Sequence, residues 1–125
     1  MYKDLDLILI TGMALGIDTL FAKVAIEFKI PFIAAIPCAG QASMWLAKSK
    51  QTYFDIVEHE LCTKEWISTE PYKPDLMQKR NIWMVDNCDL LIAVWDGTSG
   101  GTANCVKYAQ SKNKKIIFIN PNDLK

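Results

Sequence analysis

The clearest indication of the fold is residues 89–104, which read DLLIAVW followed by DGTSGGTAN. The first seven residues form an apolar run without helical spacing, which predicts a buried β-strand. The run stops at an acidic residue and passes through glycines into a helix that we expect to begin at Thr102. Backbone amides at such a helix start are unpaired and partially positive, so they suit a phosphate or another anion. The stretch therefore predicts a small-molecule site that suits a nucleotide.

The same order of strand, loop and helix recurs along the chain. Apolar strands are expected at 5–11, 32–36, 90–95 and 115–119, with a weaker signal at 64–68, and helices at 17–28, about 43–61, 74–88 and 102–112. Alternating apolar strands and helices are typical of an α/β sandwich with a mostly parallel sheet. The length of 125 residues corresponds to a single domain, 1–125, that is able to bury a core.

The charge balance gives no general attraction to nucleic acid or to an anionic membrane. Lys plus Arg and Asp plus Glu both number 14, so the net charge is zero. No apolar run reaches membrane-spanning length, and the N-terminus lacks the pattern of a signal peptide. We therefore expect a soluble, cytoplasmic protein with no membrane partner, and nucleic acid is a disfavoured partner.

The cysteine pattern predicts neither a metal site nor a disulfide framework. The four cysteines form no CxxC pair, and His59 is the only histidine. Reduced thiols in a cytosolic protein are the expected state. We predict no bound metal and no resident cofactor, apart from a nucleotide-derived ligand.

Three glycine-containing loops follow predicted strands, at Gly12, Gly40 and Gly97. Ligands of parallel α/β sheets bind beyond the carboxyl ends of the strands, so these loops are expected to share one edge. In the first loop the candidate ligand-binding residues are Gly12, Ala14, Gly16 and Asp18. The glycines supply room and Asp18 accepts hydrogen bonds from hydroxyl groups. The alternative is a tight turn with Asp18 near a helix N-terminus.

The second loop contributes Gly40 and Gln41, and the third contributes Asp96, Gly100, Gly101, Thr102 and Asn104. Thr102 either caps its helix or contacts a phosphate. Asn104 is a poor helix former in the first turn, which favours recognition of a polar group. Asp96 has three possible roles: it accepts from a ribose hydroxyl, acts as a general base, or only caps the turn.

The helix at 74–88 carries two further candidates. Asn81 lies on a face shared with Met77 and Met84, where an unpaired amide is costly, so it bonds a neighbouring loop or meets the ligand. Arg80, the only arginine, either pairs with a phosphate or with an acid such as Asp86.

Four segments together resemble the YpsA-like branch of the SLOG superfamily. They are ITGMALGID (10–18), IAAIPCAGQ (33–41), MQKRNIWMVD (77–86) and LIAVWDGTSGGTAN (91–104). The resemblance covers nearly the whole chain and implies a Rossmann-like fold, a three-layer sandwich that binds nucleotides or nucleotide-derived ligands. Related branches include phosphoribohydrolases of the LOG type, the DNA-uptake protein DprA and sensors of nucleotide signals in bacterial and phage conflict.

The chain departs from this resemblance at its N-terminus. Members of the superfamily usually begin with an extra strand, a Gly-His-Arg-Pro-like loop and a helix. The given sequence starts after that unit, so we expect an N-terminally shortened fold. Loss of a central strand leaves unpaired strand edges and exposed apolar surface. Either a partner chain covers the gap or the sheet closes by re-pairing, and we expect a homo-oligomer.

A second departure concerns catalysis. In LOG-type enzymes the last loop follows a pattern similar to Pro-Gly-Gly-x-Gly-Thr-x-x-Glu, and its glutamate serves catalysis. The segment Gly100 to Cys105 has no glutamate at that position. Hydrolysis of an N-glycosidic bond needs a carboxylate near the ribose, for which Asp96 and Asp18 are the candidates. The first expectation is therefore a sensor or ligand-binding protein for a nucleotide-type molecule. The alternative is a nucleotide N-glycosidic hydrolase, and a DNA-associated or protein-interaction module comes third.

Overall fold

The computed structural model describes residues 7–124, and five strands alternate with four helices over this range. The elements are β1 (Leu9–Thr11), α1 (Ile17–Glu27), β2 (Phe32–Ile36), α2 (Ala47–Val57), β3 (Cys62–Trp66), α3 (Pro74–Asp86), β4 (Leu90–Val94), α4 (Gly101–Ser111) and β5 (Lys115–Ile119), followed by a 3₁₀ helix, Pro121–Leu124. This order confirms the α/β class and the Rossmann-like fold.

Several boundaries differ from the sequence-based expectation. The helix expected from about residue 43 begins at Ala47, because residues 40–46 form turns in which the amides of Ser43 and Trp45 bond carbonyls three residues earlier. The weak strand signal at 64–68 corresponds to β3, which begins two residues earlier, at Cys62. The first strand is described only from Leu9, and positions 5 and 6 of that prediction lie outside the described residues.

Every strand pair within residues 7–124 is parallel, as predicted, but the strands form two sheets. One sheet has the order β1-β2-β3 and the other pairs β4 with β5. No ladder joins β1 to β4 in this part of the chain, so the sheet has not closed by re-pairing.

Each sheet has its own apolar core. The larger cluster is built around the fully buried Met13, Phe32 and Ile36, against which α1 and α2 pack. The smaller cluster joins Val85 of α3 to Cys105 and Ala109 of α4. Because α3 contacts both α4 and β2, it connects the two sheets and brings its own polar residues between their loops.

Candidate functional site

The loops that follow β1 and β2, together with the start of α4, are linked by hydrogen bonds through α3. The carbonyl oxygen of Gly12 accepts from Gln41 Nε2 at 2.9 Å and from Arg80 Nη1 at 3.1 Å. Arg80 Nε donates to Asn81 Oδ1 at 3.2 Å, and Asn81 Nδ2 reaches the Gly101 carbonyl at 3.5 Å. Five of the predicted site residues therefore lie together at the carboxyl ends of the strands. We call this chain of contacts the rim network.

Arg80 is held inside the protein. Its side chain and that of Asn81 are only 8% exposed, and its Nε and Nη1 atoms donate to protein oxygens. Burial lowers the pKa of Arg80, while the charge of Asp18 acts in the opposite direction. With these contacts, the buried guanidinium of Arg80 holds the Gly12 loop against α3. The sequence pattern alone does not distinguish this role from a direct contact with phosphate.

Gly12 is a glycine because Arg80 packs on its backbone. A β-carbon at position 12 would lie 2.9 Å from the Cδ, Nε and Cζ atoms of Arg80. Contacts this short force a neighbouring group to move, and both groups here are buried. The close approach of arginine and backbone explains the glycine without any ligand.

Asp18 fixes the shape of the first loop. Its Oδ2 atom accepts from the Ala14 amide at 3.1 Å, and its carbonyl accepts from Thr11 Oγ1 at 2.9 Å. Burial raises the pKa of Asp18, and the Ala14 amide and the Arg80 charge partly offset that effect. The carboxylate predicted to contact a ribose is thus engaged by its own loop. Gly16 lies at the exposed start of α1.

The third loop borders a pocket of about 220 Å³, here called the α4 pocket. Its lining includes four of the predicted residues, Asp96, Gly100, Gly101 and Thr102. Trp95, Thr98, Ser99 and Pro121 also line it, and none of these four is among the site residues predicted from the sequence. Asn104 is exposed on α4 and does not belong to this lining.

The N-terminus of α4 opens into this pocket. Gly100 precedes the helix with φ 140°, a conformation that side chains rarely adopt, and no side chain among residues 7–124 caps the helix. The first amides of an α-helix have no partner within the helix and carry partial positive charge. This surface is therefore chemically suited to an anion.

Asp96 also lines the α4 pocket. Its Oδ1 atom accepts from the Thr98 amide at 3.0 Å and from Thr98 Oγ1 at 2.6 Å. These two bonds hold the pKa of the exposed Asp96 carboxyl below its ordinary value. Asp96 is therefore ionised at neutral pH, a form that accepts hydrogen bonds from hydroxyls and serves poorly as a general acid.

A second pocket of about 250 Å³ lies beside the β2 loop and includes the predicted residues Gly40 and Gln41. We call it the aromatic pocket, because Tyr53, Phe54 and Trp66 line it together with Lys50. The Tyr53 hydroxyl donates to Gln41 Oε1 at 3.1 Å, so both ends of the Gln41 amide are engaged by protein. Burial is the main cause that raises the pKa of Tyr53 to about 12. The sequence analysis does not predict Tyr53 as a site residue, and its helical spacing with Val57 is the one sequence signal for its position on α2.

Two further findings concern metal binding and membrane-spanning helices within the described residues. Between residues 7 and 124, no three His, Cys, Asp or Glu side chains are grouped so that they could hold a metal ion. Over the same residues, no helix is both long and apolar enough to span a membrane.

Comparison with known proteins identifies the family. The family model described as DNA recombination-mediator protein A matches residues 2–125. An uncharacterised SPbeta prophage-derived protein of Bacillus subtilis (strain 168), YoqJ, is 34% identical over an alignment of 116 residues, gaps included, and the match covers 81% of this chain and 68% of that relative. The four SLOG-like segments, the Rossmann-like strand order and these matches agree, and the chain belongs to the DNA recombination-mediator protein A family of SLOG-type domains.

Proposed function

We propose that this chain binds a nucleotide or a nucleotide-derived small molecule in the α4 pocket. The observation that carries the proposal is the uncapped start of α4, which opens into a pocket that the ionised carboxylate of Asp96 also lines. The phosphate lies against the amides of Gly101 and Thr102, and the hydroxyls of the sugar donate to Asp96. Gly100 and Gly101 allow a close approach to the backbone.

The remaining candidate residues act around this pocket. Gly12, Gln41, Arg80 and Asn81 hold the loops in register through the rim network. Ala14, Gly16 and Asp18 shape the first loop, Gly40 belongs to the aromatic pocket, and Asn104 extends the polar surface of α4. Arg80 adds positive charge behind the site without touching the ligand.

The test is a substitution that adds a negative charge to the start of α4 without destabilising that helix. Thr102→Asp places a carboxylate in the first turn of α4, where it stabilises the helix by about 0.3–1 kcal/mol and repels an anionic ligand. Calorimetric titration with AMP, ADP-ribose, NAD and cyclic nucleotides is expected to give binding to the native protein and at least tenfold weaker binding to the variant.

The matched control is Ser49→Asp, which adds the same charge to the first turn of α2, a helix without an acidic residue there. Ser49 does not line the α4 pocket, so this variant retains native affinity. Equal affinities of the native protein and Thr102→Asp, or no binding of any probe by the native protein, would overturn the proposal.

Binding without turnover is the form of the proposal that the chemistry favours. Hydrolysis of an N-glycosidic bond is assisted by a general acid that protonates the leaving base, and the ionised Asp96, whose Oδ1 atom already accepts two hydrogen bonds from Thr98, has no proton to donate. Release of adenine from AMP at high protein concentration, abolished by Asp96→Asn, would instead establish the hydrolase.

A second candidate is association with DNA, which the match to the DNA recombination-mediator protein A family over residues 2–125 favours. The zero net charge opposes it, because phosphate contacts normally require a basic surface. Retention of the protein by duplex or single-stranded DNA that falls steeply with salt concentration would support this function.

A further inference from the structure

The aromatic pocket is built where three elements meet at one end of the larger sheet. Trp66 is the last residue of β3 and pairs in register with Ile36, the last residue of β2, so the loop after β2 lies beside it. Tyr53 and Phe54 follow Lys50 by three and four residues, so all three share one face of α2, which packs on β3. The pocket therefore joins a strand end, a loop and a helix face.

This pocket is separate from the α4 pocket, because no residue lines both of them. Its volume of about 250 Å³ lies below the roughly 300–1,000 Å³ of pockets that enclose drug-sized ligands. The space suits one ring system with a short substituent.

The aromatic side chains of the lining form a fixed wall with free ring surface. The Tyr53 ring is buried, its hydroxyl donates to Gln41, and its centroid lies 5.4 Å from those of Trp45 and Phe54 in edge-to-face contacts. These contacts hold the Tyr53 ring in place. Phe54 and Trp66 are 49% and 48% exposed, so each presents aromatic surface that a flat ligand ring can cover.

The side chains of the lining offer few hydrogen bonds to a ligand. Both ends of the Gln41 amide are engaged, by Tyr53 and by the Gly12 carbonyl. Ser43 carries the one other hydroxyl or amide side chain among the lining residues. The ring nitrogens and amino groups of a buried nucleobase need replacements for their hydrogen bonds to water, and these side chains provide few. An apolar ring fits this lining better than a nucleobase.

The charged group of the lining is positive. Lys50 is partly buried and forms no ion pair with a carboxylate among residues 7–124, where the lysines that do so are Lys64, Lys73 and Lys79. Lys50 lies with Lys48 in the first turn of α2, which has neither an acidic residue nor a side-chain cap. Lysines beside the partially positive start of a helix are unfavourable, and an anion bound there offsets this cost. The charge of this rim therefore complements an anionic group.

We propose that the aromatic pocket binds a small aromatic carboxylate, which is an apolar ring that carries an acid group on a short side chain. The ring packs on Phe54 and Trp66 beside the Tyr53 wall. The carboxylate pairs with the Lys50 ammonium and accepts from the Ser43 hydroxyl. The proposal does not rest on the function proposed for the α4 pocket.

The experiment follows amide and indole signals by NMR during titration with indole-3-acetate and with phenylacetate. Binding is expected to shift the Trp66 indole signal and the Ser43 amide in a saturable manner, and to leave the Gly101 amide unchanged. Indole-3-acetamide has the ring of indole-3-acetate without its charge, and we expect it to bind at least about tenfold more weakly. No saturable shift of Trp66 with either acid, or equal affinities of acid and amide, would show the proposal to be wrong.

Titration with AMP separates the two pockets. AMP is expected to leave the Trp66 signal unchanged, and displacement of indole-3-acetate by AMP would make the aromatic pocket a nucleotide site and overturn the assignment. Absence of any AMP-induced shift at Gly101 contradicts only the function proposed for the α4 pocket. The failures of the two proposals are therefore distinguishable.

Removal of one charge tests the recognition of the carboxylate. Lys50→Met keeps an unbranched apolar stem and removes the ammonium, so the variant is expected to bind acid and amide with equal affinity. Lys48→Met is the matched control, because it removes the same charge from an exposed residue of the same turn that does not line the pocket. The control retains the preference for the acid. An unchanged preference in Lys50→Met would overturn the proposal.

Removal of one ring tests the aromatic wall. Trp66→Ala is expected to abolish saturable binding of indole-3-acetate, observed through the Ser43 amide. Tyr72→Ala removes another exposed aromatic side chain that lies outside the lining, and this variant keeps native affinity. Native affinity of Trp66→Ala would contradict the proposed position of the ligand ring.

Discussion

Arg80 lies against the backbone of Gly12 so closely that a β-carbon at position 12 would be 2.9 Å from three of its side-chain atoms. The same guanidinium donates to the Gly12 carbonyl at 3.1 Å. The only arginine of the chain therefore ties α3 to the end of β1, and the candidate site depends on a contact within the protein.

Replacement of Gly12 by alanine tests this packing. Gly12→Ala forces Arg80 out of its position, and we expect a loss of about 1–3 kcal/mol in the free energy of unfolding. Gly101→Ala is the control, because a β-carbon there meets no atom within 4 Å and alanine favours the helix. Urea denaturation of both variants is the measurement. Equal stability of Gly12→Ala and the native protein would contradict the packing.

The shared acceptor at Gly12 predicts energetic coupling between two distant positions. Gln41 and Arg80 both donate to the same carbonyl oxygen, so their substitutions are not independent. In a double-mutant cycle of Gln41→Ala and Arg80→Lys, we expect a coupling of about 0.5–2 kcal/mol in unfolding free energy. The control cycle pairs Arg80→Lys with Gln51→Ala, on the exposed side of α2, and its two changes in unfolding free energy should add. Additive changes in the Gln41 cycle as well would exclude the network.

Removal of the Tyr53 hydroxyl tests the hydrogen bond that this hydroxyl donates to Gln41 Oε1. Tyr53→Phe leaves Gln41 Oε1 without this donor, and we expect destabilisation by about 1 kcal/mol. In the native protein, a tyrosine absorbance titration should show one phenol that ionises near pH 12, and this late step disappears in the variant. Its persistence in Tyr53→Phe would contradict the assignment.

The burial of Asp18 predicts a pH dependence of stability with a definite sign. Because burial raises the folded-state pKa above the unfolded value, the native state binds more protons than the unfolded state between these two values. The contribution of Asp18 is therefore present at low pH and decreases as the pH rises through that window. Asp18→Asn, whose side-chain oxygen still accepts from Ala14, removes this dependence.

Denaturation of the native protein and of Asp18→Asn from pH 3 to pH 7 measures the difference. We expect the variant to gain stability relative to the native protein as the pH rises above the ordinary value of 3.8. An NMR titration midpoint of the Asp18 carboxyl at or below that value would show that hydrogen bonding and Arg80 outweigh burial.

Local periodicity and strand composition were enough to predict the element order. The apolar run at 32–36 coincides with β2, because a strand buried in a parallel sheet needs uninterrupted apolar sequence. The run at 115–119 coincides with β5, although that strand begins with Lys115 and is largely exposed. The convergence of the loops at Gly12, Gln41 and Gly101 also followed from the rule that parallel strands end at one edge. The sequence alone therefore determined the fold class and the position of the candidate site.

Only the tertiary structure decided what the polar residues at that site contact. Arg80 and Asp18 are compatible in sequence with ligand contacts, yet Nε and Nη1 of Arg80 donate to Asn81 and Gly12, and Oδ2 of Asp18 accepts from Ala14. The tertiary structure likewise decides which strands pair with each other, and therefore the division of the strands into two sheets. Hydrogen-bond partners far apart in the chain are chosen by packing, so a local pattern predicts which residues are polar but not which partners they find.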